Sequence, residues 1–204
     1  MNLLNKLKLV TGITSDKKNT KIENTQYSIS KDDTIDIIFA KNLIKNNGNF
    51  FYCDKKIDLV TTIQALTSKL EIESIYCIEP IIKELLNKAS INYNDKYHTQ
   101  CDGIVSSCEF LIAQHGKIML SSKQLGSNNI KNLPKEHIVI AYTSQIVKSL
   151  NEGMSGLNKR YIDNLPSTIT TIKSQQMEGN DNSEGNIKKI SVLLIEDYQE
   201  NKSK

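Results

Sequence analysis

A short polar segment, Gln114-His115-Gly116-Lys117, carries residue types suited to chemistry and lies between the apolar runs FLIA and IMLSS. Lys117 could supply positive charge for an anion, and His115 could transfer a proton near neutrality because imidazole has an ordinary pKa of about 6.5. Gly116 could let the backbone approach a ligand closely. The same residues would also suit an exposed hairpin turn, so the segment alone leaves both interpretations open.

Four further polar residues border the predicted strands. Glu109 lies between apolar runs, and an unpaired buried carboxylate is unfavourable. We therefore expect Glu109 either to be paired in a cleft or to face outward. His137 precedes the apolar run IVIAY and is either exposed at the start of a strand or part of a site. Ser106 and Ser121 each belong to a serine pair of the kind that lines phosphate and carboxylate pockets.

The sequence contains no recognised catalytic or metal-binding signature. No Ser/His/Asp triad, zinc signature or dinucleotide fingerprint can be assembled, so we assign no catalytic residue. The four cysteines form no C-x-x-C motif, and the nearest metal-like pattern, His98 and Cys101 followed by Cys108, has no second half. We therefore predict reduced thiols, no metal and no cofactor bound by this chain.

Composition and charge argue against a nucleic-acid-binding protein and against a membrane-spanning one. The chain has 204 residues, and its 26 Lys and Arg against 23 Asp and Glu give a net charge of +3. The lysines are spread along the chain, which argues against nucleic acid as a partner. No apolar run approaches the roughly 20 residues of a membrane span. Lysines also interrupt the N-terminal run MNLLNKLKLV, so we predict a cytoplasmic protein without a signal peptide or membrane span.

Helical and strand-like segments alternate in the first half of the chain. Asp33 is a plausible N-cap for a first helix, and FFYC (50–53) and SIYCI (74–78) are strand-like. A helical apolar pattern at 56–70 separates these two strands, and Pro80 fits the first turn of the next helix. Two successive strand–helix units predict parallel strands joined by right-handed crossovers.

The second half predicts a hairpin followed by further strands. The polar turn joins two strand-like runs at hairpin distance, and HIVIAY (137–142) has the pattern of a buried strand. Ser144 is predicted to cap a helix that runs to about Tyr161. STITTI (167–172) is strand-like, and KKISVLLIEDY (188–198) is predicted to be a central strand. Together these elements predict an α/β fold with a mostly parallel sheet flanked by helices.

These elements divide the chain into three parts. Residues 1–32 are predicted to be an N-terminal arm, with a short amphipathic segment followed by a flexible linker. Residues 33–198 form the predicted α/β domain, and its segment 175–186 is predicted to be a turn-rich loop. Residues 199–204 are a polar tail.

The stretch from Val105 to Val147 resembles the LUD domain, the lactate utilization protein C family. The family pattern V-T-x-A-D-x-x-I-A-E-T-G-T corresponds to VSSCEFLIAQHGK at 105–117. The motifs L-P-x-x-H-I-x-V and Q-I-V correspond to LPKEHIV at 133–139 and QIV at 145–147, and Pro166-Ser167 stands where the family has G-P-S. The ordered series of motifs at matching spacings makes the resemblance fairly specific.

The resemblance implies a fold like that of ribose-phosphate isomerases, glucosamine-phosphate deaminases and CoA transferases. It also implies a non-redox accessory subunit that works with iron–sulfur partner proteins in oxidising lactate to pyruvate, with the iron–sulfur clusters on those partners. Polar residues of this chain would then contact a small anionic ligand. Ser167 is included among them because it matches the family motif. The candidate ligand-binding residues are Ser106, Glu109, Gln114, His115, Gly116, Lys117, Ser121, His137 and Ser167.

The chain departs from the family pattern at the turn itself. Gln114, His115 and Lys117 stand where the family has Glu, Thr and Thr, and the acidic residues expected after Pro166-Ser167 are replaced. If those carboxylates act in other members, this chain has lost that action or moved it. Two alternatives stay open. One is a stand-alone enzyme or binding protein for a phosphorylated sugar, a CoA-linked acid or another carboxylate, and the other is an interaction module that docks through its arm.

Overall fold

The structure is a computed structural model that describes residues 28–174 and 187–197. The predictions for residues 1–27, for the loop 175–186 and for the tail beyond 197 lie outside the described residues. The helices are α1 (Ile35–Lys45), α2 (Lys56–Lys69), α3 (Pro80–Lys88), α4 (Ser122–Leu125) and α5 (Leu150–Arg160). The strands are β1 (Asn49–Cys53), β2 (Ile75–Tyr76), β3 (Tyr93–Asn94), β4 (Gly103–Ser106), β5 (Phe110–Ile112), β6 (Lys117–Ser121), β7 (Glu136–Tyr142), β8 (Ile146–Val147), β9 (Ile169–Ser174) and β10 (Ile187–Ile195).

Six strands pair in parallel in the order β3-β2-β4-β7-β10-β1. The long apolar run of β10 fits its central position, because both faces of this sheet are covered by helices. Val192 and Leu194 pack with Phe39 of α1, whereas Leu193 packs on the other face with residues of α2 such as Ile63. The predicted α/β fold, with a large and mostly parallel sheet flanked by helices, is confirmed.

The remaining strands extend the sheet in the order β9-β6-β5-β8, with β9 next to the first residues of β10. β5 and β6 form the predicted antiparallel hairpin, in which Phe110 pairs with Met119 and Ile112 with Lys117. A turn at Ala113–Gly116 closes one end of this hairpin. Glu109 and Ser121 lie at the opposite end, and we call these the turn end and the carboxylate end.

The helix predicted from Ser144 begins later than expected. Ser144 lies in a 3-10 turn, and Ile146–Val147 form β8, which pairs in parallel with β5. α5 begins at Leu150, where the Ser149 hydroxyl caps the helix by accepting a hydrogen bond from the Glu152 N–H at 3.3 Å. Pairing with β5 therefore outweighed the helical spacing of the apolar residues.

The first helix also differs in its cap. Thr34 precedes α1 as the N-cap residue, and its side chain makes no capping hydrogen bond. The predicted cap, Asp33, instead accepts a hydrogen bond from Lys41 Nζ at 2.7 Å, two turns into the helix. Asp33 therefore anchors the segment that leads into α1 without capping the helix itself.

Candidate functional site

The carboxylate end of the hairpin centres on Glu109, which is fully buried. Its Oε1 accepts hydrogen bonds from Ser121 Oγ at 2.7 Å and from Gln124 Nε2 at 3.2 Å. Its Oε2 accepts from Arg160 Nη1 at 2.9 Å, and Tyr161 OH lies 3.3 Å from both oxygens. The cost of burying this carboxylate is therefore met by several donors, and Glu109 is paired and does not face outward.

Arg160 occupies the last turn of α5 and has an exposed face. Its guanidinium lies 4.8 Å from the centroid of the Phe110 ring, and its side chain keeps 42% of its surface exposed while that of Glu109 keeps 1%. Gly156 explains how α5 comes so close, because a Cβ there would lie 2.6 Å from Phe110 Cζ. Glu109 and the Phe110 ring therefore hold the guanidinium of a side chain that stays partly exposed to solvent.

Further positive charge lies beside Arg160. Lys123 Nζ is 5.7 Å from the centroid of the Tyr161 ring, and Lys123 belongs to the short helix α4 that follows the carboxylate end of the hairpin. Arg160 and the Tyr161 hydroxyl therefore contact the buried Glu109, and Lys123 lies against the Tyr161 ring. Such a set favours a small anion, either a carboxylate or a phosphoryl group.

A second carboxylate, Glu79, lies near Glu109. It follows β2, directly before Pro80, and its Oε1 accepts a hydrogen bond from the Ser107 N–H at 2.7 Å. Its Oε2 accepts a short hydrogen bond from the Ser107 hydroxyl. Burial, together with the negative charge of Glu109, raises the pKa of Glu79 above its usual value, and the hydrogen bonds from Ser107 only partly oppose this.

Both carboxylates affect the pKa of the buried Cys108, which lies between Ser107 and Glu109 in the sequence. Burial is the main cause of the raised pKa of the Cys108 thiol, and the charges of Glu109 and Glu79 raise it further while Arg160 lowers it. The three charged groups therefore surround one short segment of the chain. This segment follows β4, and Glu79 follows β2, so both lie beyond the carboxyl ends of parallel strands, where ligands of open α/β sheets bind.

The turn end of the hairpin is bound to α1 instead. Gly116 has a φ of +58° and is buried, and a Cβ at this position would lie 2.5 Å from Leu43 N and 2.6 Å from Asn42 C. The Asn42 side chain donates hydrogen bonds to Ala113 O at 2.8 Å and to Gln114 O at 3.2 Å. The glycine does allow a close backbone approach, and the partner in that approach is the backbone of α1.

The candidate residues thus fall into separate groups. Glu109 and Ser121 meet at the carboxylate end. Gln114 and His115 are exposed at the turn end, with Gly116 buried between them and the half-buried Lys117. The strand residues 110–112 separate the two ends by roughly 10 Å. The hairpin therefore does not bring His115 to Glu109.

Ser106 and His137 form a buried pair elsewhere in the sheet. Ser106 Oγ and His137 Nε2 are 2.7 Å apart, and both residues are about 1% exposed. Burial, with a smaller effect of the Lys188 charge, lowers the pKa of His137 to about 3. His137 is therefore a neutral core residue at physiological pH, and neither an exposed histidine at the start of a strand nor a proton donor open to solvent.

Ser167 lies beside the carboxylate end through its backbone. Its N–H donates to Ser122 Oγ at 3.1 Å, which links the segment before β9 to the start of α4. Ser122 follows Ser121 directly, so the backbone of Ser167 contacts the segment that follows the carboxylate end of the hairpin.

The described residues also bear on metal and membrane binding. Within 28–174 and 187–197, no group of three or more His, Cys, Asp or Glu side chains could hold a metal ion, and all four cysteines are free thiols. His98 packs edge-on against the Tyr76 ring, with centroids 5.8 Å apart. No helix in this part of the chain combines the length and apolarity that crossing a membrane requires.

Sequence reasoning did not find Arg160, Tyr161, Gln124 or Glu79. A signal for the first of these was present, because Arg160 is the single arginine in a sequence with 26 Lys and Arg. Guanidinium and ammonium groups are not equivalent at a carboxylate, so one arginine among many lysines marks a special position. Glu79 could be found from its place between a strand and Pro80, where a parallel sheet presents side chains to ligands.

Comparisons with known proteins identify the family. No curated protein sequence matches this chain. The solved structure of a DUF162 family protein from Deinococcus radiodurans has a similar fold, with a TM-score of 0.59 and 15% sequence identity over 80% of this chain and 96% of that one. The model of the LUD domain matches residues 73–195, which include Glu79, the β5–β6 hairpin and α5. The chain therefore belongs to the LUD domain family, which relates it at the family level to lactate utilization.

Proposed function

We propose that this protein is a non-redox accessory subunit in the oxidation of lactate to pyruvate, acting with iron–sulfur partner proteins that hold the clusters. Membership of the LUD domain family supports this role at the family level. The contribution of this chain would be to bind the small carboxylate, while electron transfer takes place on the partners. We expect the complex to be cytoplasmic.

The exposed guanidinium of Arg160 is the observation that carries the proposal. Glu109 holds one of its nitrogens at 2.9 Å, and the guanidinium lies over the Phe110 ring, 4.8 Å from its centroid. The donors that remain can bind a carboxylate with two parallel hydrogen bonds, which a lysine cannot do. A fixed guanidinium also loses little conformational entropy when a ligand binds.

Binding of L-lactate to the purified protein tests this role. We expect the Arg160→Gln variant to bind L-lactate at least about tenfold more weakly in calorimetry, since a charge-assisted pair contributes roughly 1.5–3 kcal/mol. Lys159→Gln is the matched control, because it removes one positive charge from the exposed neighbouring position. Arg160→Lys, which keeps the charge near Glu109 but loses the forked geometry, should show an intermediate loss.

Equal lactate affinity in the wild type and in folded Arg160→Gln would contradict the proposal that Arg160 is the anchor. The partner proteins are tested separately. Affinity capture of the tagged protein from its native cell should recover iron–sulfur proteins, and repeated recovery of none would count against the accessory role.

The alternative is an enzyme or binding protein for a phosphorylated sugar or a CoA-linked acid. Lys123 favours this alternative specifically, because it adds a second cation beside Arg160, as a dianionic phosphoryl group would require. Inorganic phosphate distinguishes the two functions. Displacement of lactate by phosphate at lower concentrations than by acetate would favour the phosphoryl ligand, and the reverse order would favour the carboxylate.

A further inference from the structure

Strand β1 is a long edge strand with an open side. Among the described residues it pairs with β10 alone, so no strand lies along its other edge. The strands at the two ends of the strand order, β3 and β8, are two residues long, whereas β1 has five residues of sequence NFFYC. Short length, charged side chains and prolines protect edge strands from pairing with other chains, and β1 has none of these. Its open edge is therefore suited to pairing with a further strand.

Helix α2 forms an open groove of about 460 Å³ beside this strand. Phe51 of β1 lines one wall of the groove. The other wall includes Thr62, Ala65 and Lys69 of α2. The last residue of β1 also contacts this helix, since Cys53 Sγ donates a weak hydrogen bond to Thr62 Oγ1 at 3.9 Å. The strand and one side of the helix thus form a single surface.

This side of α2 faces away from the rest of the parallel sheet. Ile63 and Leu66 point into the core. Gln64, on another side of the helix, donates a hydrogen bond at 2.9 Å to the carbonyl of Ala89, directly after α3. Because α3 follows β2, at the other end of the parallel strand order, the groove lies on the side where a second molecule has access.

Opposite charges lie toward the two ends of the same side of α2. Burial raises the pKa of the Cys53 thiol to about 11, and the nearby charge of Asp58 contributes, so Asp58 lies close to the end of β1. Lys69 is exposed in the last turn of α2, and within residues 28–174 and 187–197 it has no ion-pair partner. The helical rise places these two residues about 16 Å apart along the axis, which is also about the length of a five-residue strand.

We propose that two copies of this chain associate through this surface about a two-fold axis, with the open edge of β1 in one copy pairing antiparallel to β1 of the other. A two-fold interface is self-complementary, so the contact of residue i with residue j occurs twice. An axis at the middle of α2 places Asp58 of each copy opposite Lys69 of the other. Thr62 then lies opposite Ala65, and these small side chains allow the two helices to approach closely. This charge complementarity favours a second copy as the occupant.

Sedimentation velocity of the full-length protein over a range of micromolar concentrations tests the proposal. We expect the wild type to sediment as a dimer. Ala65→Arg would place two guanidinium groups near the axis, and it should weaken the dimer at least about a hundredfold. Ser68→Arg is the matched control, because Ser68 is exposed on the same helix but does not line the groove. This control should leave the dimer unchanged.

Charge reversal tests the arrangement of the two copies. Lys69→Glu should weaken the dimer at least about tenfold, because two carboxylates would then face each other across the interface twice. Adding Asp58→Lys should restore most of the affinity, since the pairs form again with opposite polarity. Asp58 also accepts a hydrogen bond from the Lys55 N–H at 3.0 Å, so circular dichroism should confirm that the double variant is folded. A folded double variant that stays as weak as Lys69→Glu would contradict this arrangement.

The remaining outcomes concern the edge of β1 itself. A wild type that stays monomeric overturns the proposal, and so does a dimer that Ala65→Arg leaves intact, because its interface would lie elsewhere. Hydrogen exchange should show slow exchange of β1 amides in the wild-type dimer and faster exchange in Ala65→Arg. Equal protection of these amides in a monomeric variant would refute the pairing with a second copy and would assign the edge to another segment of the same chain.

Discussion

The two ends of the β5–β6 hairpin carry similar numbers of polar residues and use them in opposite ways. At the turn end, Gly116 packs against the backbone of α1, and His115 faces solvent. At the carboxylate end, Glu109 is buried, and Arg160 joins it from a helix 51 residues away in sequence. The tetrapeptide that looked most reactive docks on α1 through its main chain and Gly116, while a single buried carboxylate organises the candidate site.

The difference shows what decides whether a polar group can take part in chemistry. Asn42 and Asn46 satisfy the carbonyl groups of the turn, so the turn is fixed by contacts to its main chain. At the carboxylate end the contacts are between side chains, and they hold a half-exposed cation in one orientation. Orientation of a charged group by a buried partner is the feature that a ligand site requires.

The largest expected effect is a loss of stability caused by a substitution at the turn end. Gly116→Ala should lower the free energy of unfolding by about 3–5 kcal/mol, since the new Cβ would strain a positive φ and clash with backbone atoms of α1 that cannot rotate away. Urea unfolding followed by circular dichroism measures the change. A loss below about 1 kcal/mol would show that the contact with α1 yields easily. L-lactate affinity of the folded variant should stay unchanged.

The second largest expected effect is a loss of stability caused by a substitution at the carboxylate end. Glu109→Ala should lower the free energy of unfolding by about 2–4 kcal/mol, because Ser121 and Gln124 lose a buried acceptor. The ion pair contributes less than its geometry suggests, since Arg160 is partly exposed to solvent. Unlike Gly116→Ala, this variant should also weaken L-lactate binding in calorimetry. Unchanged affinity would mean that Phe110 alone orients the guanidinium.

A pH series compares the two histidines of the candidate set. The pKa of His137 is about 3 in the folded protein and about 6.5 when unfolded, so its contribution to stability is complete above pH 6.5 and is lost as pH falls toward 3. This amounts to about 2 kcal/mol between pH 7 and pH 5. Urea unfolding at both pH values should show a smaller difference in His137→Gln, and an unchanged difference in His115→Gln. The opposite pattern would contradict the burial of His137.

The smallest effect on stability is expected from removing the His115 side chain at the turn end. His115→Ala should change the free energy of unfolding by less than about 0.5 kcal/mol, because the side chain is exposed and Asn46 binds the backbone carbonyl of His115. It should also leave L-lactate affinity unchanged. A substantial loss of affinity would restore His115 as a site residue and would reverse the comparison between the two ends.

The sequence was sufficient for features that depend on local patterns. The strand β1, the helix α2, the first-turn Pro80 and the hairpin were all predicted close to their observed bounds, because apolar periodicity and turn residues specify them locally. β10 was predicted as a central strand from its continuous apolar run. The predicted start of the helix at Ser144 was wrong because a two-residue strand, β8, pairs with β5. Local sequence patterns do not indicate such a long-range contact.

The site was harder to predict for the same reason. Glu109 and Ser121 could be named from their positions beside strands, but their partners Arg160 and Tyr161 come from a helix whose placement depends on Gly156 packing against Phe110. Glu79 reaches the same region from the far side of the parallel sheet. Neighbours of this kind follow from the three-dimensional packing, and only the single arginine gave a hint in the sequence.

The central place of β10 has a consequence for biosynthesis. This strand pairs with β7, β1 and β9, although it follows all three in the described part of the chain. The ribosome synthesises β1 and β7 well before β10, which lies between them. The edges of β1 and β7 that pair with β10 are therefore unpaired in the nascent chain. We expect these edges to depend on chaperones or fast completion of synthesis, because unpaired strands of a parallel sheet are prone to aggregate. The nine residues of β10 thus decide when the described strands can join into one sheet.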